Sequence, residues 1–175
     1  MKRVAKTRTI SKYLLLVAIV YASSYVALFS LRYVLRNDYP LVVVEGISMQ
    51  PTFYEGDLIA VKGVDNKQDI MPSDIIVFHE PYDRNKLIVH RVVQRIMSNT
   101  RVEFVTKGDN NKSYDPWLVL DGDVVGLVIG RVPFLGSIIM MIQSPTGNVF
   151  SITLIIIIII ISIFHDEYGE NGKTK

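Results

Sequence analysis

The chain has 175 residues, no cysteine, three histidines and a formal net charge of +2, a length that fits one compact domain. The missing thiol excludes disulfides, Cys-based metal sites and a Cys nucleophile, and no two histidines stand four apart as a zinc-peptidase pair needs. The central body is slightly acidic and carries no basic stripe, which argues against nucleic acid as a partner.

The first element is apolar. Lys2, Arg3, Lys6, Arg8 and Lys12 precede an uncharged run from Tyr13 to Leu31, long enough as a helix to cross the hydrocarbon core of a bilayer. The reading is a membrane-spanning helix over residues 13–34. The positive-inside rule keeps residues 1–12 cytoplasmic and puts the chain beyond the helix on the other side. No small-x-small site closes the run, which argues against a cleaved signal.

Next comes a β-like stretch. Leu41–Val44, Leu58–Val61, Ile75–Phe78, Leu87–Val93, Val102–Thr106 and Val124–Val128 are rich in β-branched residues and bounded by Gly, Pro, Asn or Asp. The expected fold class is mainly β: a compact antiparallel body of coiled sheet over residues 35–144. Phe134, Leu135, Ile138, Ile139, Met140 and Met141 then form an apolar run that suits a membrane interface, a final strand or the start of a second span.

After Pro145-Thr146-Gly147-Asn148, the segment Val149–Phe164 holds seven consecutive isoleucines, Ile155 to Ile161. In lipid such a run must pair its backbone within itself, so it is read as a second helical span over residues 145–165. Residues 166–175 would then be a cytoplasmic tail, and the protein a cell-membrane protein crossing twice.

The chemistry concentrates in four places: Gly46-Ile47-Ser48-Met49-Gln50-Pro51-Thr52, Val89-His90-Arg91, Lys107-Gly108-Asp109-Asn110-Asn111-Lys112-Ser113-Tyr114-Asp115, and Gly130-Arg131-Val132-Pro133. A serine hydroxyl is a weak nucleophile and needs a neighbouring base. Imidazole, with an ordinary pKa of about 6.5, is mostly neutral at pH 7 and can take that proton without desolvation. A histidine base works best with a carboxylate to hold its tautomer, and Asp115 and Asp109 compete for that role.

Taken in this order, the four segments resemble the serine, base, acidic and closing boxes of the signal peptidase I family, over roughly residues 41–137. Bacterial members place a lysine before the arginine. The His90-Arg91 pair is similar to the endoplasmic-reticulum and archaeal branch, and with two spans it suggests an archaeal source. The resemblance implies a membrane-bound serine endopeptidase without metal or cofactor, acting on preprotein signal peptides with small residues at positions −1 and −3 from the cut. It implies Ser48 as nucleophile, His90 as base, Asp115 as the orienting acid and Asp109 as a brace or the alternative acid. Ile47 and Met49 are expected to line shallow substrate pockets. The partners implied are preproteins, membrane lipids and the translocation machinery. Two other readings stay open: a self-cleaving or regulatory membrane peptidase, and a tethered scaffold whose triad no longer works.

Overall fold

The computed structural model describes residues 2–98 and 101–171. They form two units: Ser30–Met140 is one, and the chain up to Phe29 together with that from Met141 onward is the other.

Helix α1 (Lys2–Leu35), which runs from the second of these into the first, contains the one helix segment among the described residues that is by itself long and apolar enough to cross a membrane, Leu15–Leu35. None of that window is buried within the protein, as a helix meant for lipid requires. The C-terminal segment is also helical. Here α2 (Leu135–Gln143) and α3 (Pro145–Asn171) meet the length and hydropathy of a span only when α2 and Pro145–Ile161 of α3 are taken together as one bent pair broken at Ser144. An independent second crossing over residues 145–165 is therefore not supported. A proline at the first position of α3 cannot continue the ladder of α2, and this divides the apolar length. Residues 172–175 of the expected tail lie outside the described residues.

The end of α1 within the Ser30–Met140 unit is built to stop. Arg36 takes a left-handed conformation (φ 48°); its N–H donates to Tyr33 O, and that of Asn37 to Arg32 O. This is the paired closure that satisfies the last carbonyls of a helix. The Leu35 carbonyl accepts from Gly63 N–H at 2.8 Å, and a Cβ on Gly63 would stand 2.0 Å from the Arg36 carbonyl oxygen. Buried Asn37 donates to Val61 O, so the helix end is fastened to the sheet.

The sheet contains β1 (Leu41–Val43), β2 (Leu58–Lys62), β3 (Ile75–Glu80), β4 (Asp83–Met97), β5 (Val102–Lys107), β6 (Val119–Leu120) and β7 (Val124–Val132). All pairings are antiparallel, in the order β1-β2-β7-β3-β4-β5-β6, as the short β-branched runs anticipate. The central strand β3 is buried on both faces. Ile76 and Phe78 join a cluster with Ile70, Val92, Phe104 and Val119, while Val77, pointing the opposite way, joins Val44, Met49, Phe53, Ile59 and Val61. Two cores on opposite faces of one strand indicate a sheet that coils back on itself. Bulges between Ala60 and Val61, and between Val92 and Gln94, increase local twist where they fall.

Candidate active site

The loop between β1 and β2 presents Ser48. Gly46 supplies a positive φ of 79°, which a residue with a Cβ rarely adopts. Beyond it the chain turns, with Gln50 N–H donating to Ile47 O and Phe53 N–H to Met49 O. Met49 and Phe53 are the apolar anchors of this turn, 1% and 6% exposed. Met49 therefore does not face solvent as expected of a pocket residue. It fills the core beneath Ser48, because adjacent residues of the turn project to different sides. Ile47 is 60% exposed and remains available at the surface.

The far end of the loop is held by Asp57, which is fully buried. Its carboxylate accepts from the N–H groups of Tyr54 (2.7 Å) and Phe134 (3.2 Å) and from Arg131 Nε (2.7 Å). Arg131 also donates to Thr52 O at 2.8 Å. A buried charge is tolerated only with such partners, and these bind the serine loop to β7 and to the chain just past its end.

The base comes from β4, where His90 pairs in register with Ile76 of β3 and is buried against the Phe78 ring, 6.4 Å between centroids. Its Nε2 lies 3.2 Å from Ser48 Oγ and its Nδ1 2.7 Å from Asp115 Oδ2. An ionised carboxylate only accepts, so Nδ1–H donates to Asp115 and Nε2 is left as the acceptor facing the serine hydroxyl. Asp115 is held in turn: Thr106 Oγ1 donates to the same oxygen at 2.6 Å, and Asp115 N–H donates to Thr106 O at 2.9 Å. Ser48, His90 and Asp115 thus form a continuous line of hydrogen bonds.

Asp109 is brought close but faces elsewhere. Its carboxylate takes Arg91 in a fork, Nε at 2.8 Å and Nη2 at 2.7 Å, and accepts the Thr52 hydroxyl. The hydrogen bonds from Arg91 hold the Asp109 carboxyl below the usual aspartate range, with partial burial opposing and Thr52 and His90 assisting. Asp109 in turn raises Arg91 above its ordinary value. This pair joins the turn after β5 to β4 and, through Thr52, to the serine loop.

Four contributors had been given no role from the sequence: Thr106, and Arg91, Asn110 and Gly108, which lie in the motif segments. Thr106 had a signal, since it is the polar residue at a fully buried position of a strand that otherwise alternates apolar-in. Gly108 is demanded by space: a Cβ there would stand 2.6 Å from Ser48 O and 2.9 Å from His90 Nε2. His79 lies apart, with Nδ1 2.6 Å from Arg84 O. Among the described residues no group of three or more metal-ligating side chains converges.

The model of the family described as "Signal peptidase, peptidase S26" matches residues 10–96, a span that includes Ser48 and His90 and ends before Asp109 and Asp115. The signal peptidase complex catalytic subunit SEC11 of Candida tropicalis is 32% identical over 138 residues, 74% of this chain and 81% of that protein. The protein of the same name from Lodderomyces elongisporus is 32% identical over 162 residues, 88% of this chain and 95% of its own length.

This chain belongs to the signal peptidase family.

Its type is that of the endoplasmic-reticulum and archaeal signal peptidases, in agreement with a histidine, not a lysine, before Arg91. A third similar protein, SEC11 of Colletotrichum graminicola, is 29% identical over 147 residues. These signal peptidase relatives are fungal, so the expected archaeal source finds no support in them.

Proposed function

We propose that this chain is a membrane-anchored serine endopeptidase that removes signal peptides from translocated preproteins, the activity its relatives are named for. The observation that carries the reading is the line Ser48–His90–Asp115 on a rigid sheet. Ser48 Oγ attacks the scissile carbonyl carbon as its proton passes to His90 Nε2, and the Asp115 carboxylate stabilises the imidazolium. The Ser48 N–H donates to the oxyanion. As the tetrahedral species collapses, His90 returns the proton to the leaving amine, which departs as the new N-terminus. Water, deprotonated by His90, then splits the acyl ester, releasing the signal peptide carboxylate and restoring the Ser48 hydroxyl.

The hydrogen bonds favour Asp115 for the orienting role and Asp109 for that of a brace. Leu15–Leu35 serves as the anchor, with the basic N-terminus cytoplasmic and the sheet body on the opposite side. The thirteen residues from Leu35 to Ser48 reach at most about 45 Å, which keeps the nucleophile close to the membrane where a signal peptide lies. The relatives are named as subunits of a complex, which favours partner subunits here too, beside lipids and the translocation machinery.

Exposed Ile47 beside Ser48 suits shallow pockets for small residues at −1 and −3. Replacing Ala at −1 of a preprotein by Phe is expected to slow cleavage by about a hundredfold or more, read by gel assay with purified protein. Efficient cutting after Phe contradicts the pocket assignment. Gly108→Ala, whose methyl would stand between the Ser48 carbonyl and His90, is expected to lower kcat by about 10²-fold. Its circular dichroism should match the wild type, and an unchanged kcat would show that this crowding does not reach the reacting groups.

A further inference from the structure

The peptide that links Ile47 to Ser48 is gripped on one side only. Its carbonyl accepts from Gln50 N–H and from Asn110 Nδ2, each at 3.2 Å. Its N–H, that of Ser48, donates to no acceptor among the described residues. Asn110 also reaches the next carbonyl, its own N–H donating to Ser48 O at 2.8 Å. One exposed residue on the turn after β5 therefore holds two successive carbonyls of the serine loop. The C=O and N–H of a trans peptide are coplanar and point in opposite directions, so fixing the Ile47 carbonyl also fixes the direction of the Ser48 N–H. A hydrogen bond accepted at the carbonyl further polarises that N–H as a donor.

We propose that Asn110 is a positioning residue for the oxyanion: its side-chain amide orients the Ile47–Ser48 peptide so that the Ser48 N–H stands ready for the charge that develops in the transition state. This rests on Ser48 being the nucleophile. Asn110 has no hydrogen bond to His90, Asp115 or Asp109 among the described residues, so its effect is separable from theirs. A preorganised donor acts only where charge appears, so Asn110 should influence the transition state and leave substrate binding alone.

The test uses the full chain in detergent with Asn110→Asp and Asn110→Ala, a preprotein substrate, and a peptide boronate carrying an alanine side chain next to boron. Ser48 Oγ adds to the trigonal boron and passes its proton to His90, and the tetrahedral adduct places an oxygen where the oxyanion forms. Asn110→Asp is nearly isosteric and retains the backbone bond to Ser48 O, while an oxygen replaces the donor facing Ile47 O. For both variants kcat is expected to fall about 10- to 100-fold, boronate affinity to weaken by a similar factor, and KM and melting temperature to stay unchanged. Boronate affinity equal to wild type overturns the proposal, whether kcat is intact or falls together with the melting temperature. If the wild-type protein forms no boronate adduct by mass spectrometry, or Ser48→Ala forms the same one, the nucleophile reading itself fails and this inference with it.

Discussion

Ser48→Ala is expected to lower preprotein cleavage by about 10⁶-fold while leaving the protein folded and inserted. The size comes from the chemistry, since without the hydroxyl His90 has nothing to deprotonate but water, and only substrate positioning and the oxyanion donor remain. The intact fold comes from the packing. Among the described residues the Ser48 side chain makes one hydrogen bond, to His90 at 3.2 Å, whereas the loop is held by buried Met49 and Phe53, by Asp57 with Arg131, and by the backbone of Asn110. Initial rates and a thermal melt of both proteins in the same detergent measure the two halves of the expectation. Turnover retained in a folded variant would end the serine reading.

The second large effect separates the two aspartates. Asp115→Asn is expected to cost about 10⁴-fold in turnover, whichever way the new amide turns. With its oxygen toward His90 Nδ1 the geometry survives but the charge that stabilises imidazolium is gone. With its nitrogen there, Nδ1 must accept, and Nε2–H faces Ser48 where a base is needed. Asp109→Asn should lose far less turnover and show its deficit in stability, about 1–2 kcal/mol for charged hydrogen bonds at a partly exposed pair. The pH dependence has a definite sign. The folded-state pKa of Asp109 lies below its ordinary value, so its contribution is complete above about pH 4 and is lost as pH falls through the folded value. The gap between the urea midpoints of wild type and Asp109→Asn should therefore be widest at neutral pH and narrow as the pH is lowered below about 4. An inactive, well-folded Asp109→Asn beside an active Asp115→Asn would reverse the assignment.

The strands were legible where apolar alternation carries them, and less so where backbone pairing alone does. Strand β4 begins at Asp83, four residues before its apolar run, because the hairpin with β3 extends past the last apolar pair to Glu80 opposite Asp83; hydrogen bonds between main chains need no apolar side chain. The two residues of β6 are too few to carry a period. Phe134, at φ 60°, lies between the end of β7 at Val132 and the start of α2 at Leu135 and redirects the chain into the helix, where composition alone left strand, span and interface open. In the site, the boxes pointed to Ser48, His90 and Asp115, which the fold brings within hydrogen-bond reach of one another, and to Asp109, which it turns toward Arg91. The contacts of Thr52 with Asp109 and of Asn110 with Ile47 join residues 57 and 63 positions apart, which no local pattern announces. Met49 shows the limit from the other side: its place in the motif is plain, but the direction of its side chain is decided by the core cluster it completes.

In the proposed function this chain cuts preproteins after a small residue with Ser48. This is tested most directly by incubating the protein, purified in detergent with a metal chelator present, with a preprotein carrying Ala at −1 and −3, and by sequencing the N-terminus of the product. One new N-terminus is expected, at the residue after the −1 Ala, and none with the Ser48→Ala protein. The same product from both proteins, or no product from the wild type, would contradict it.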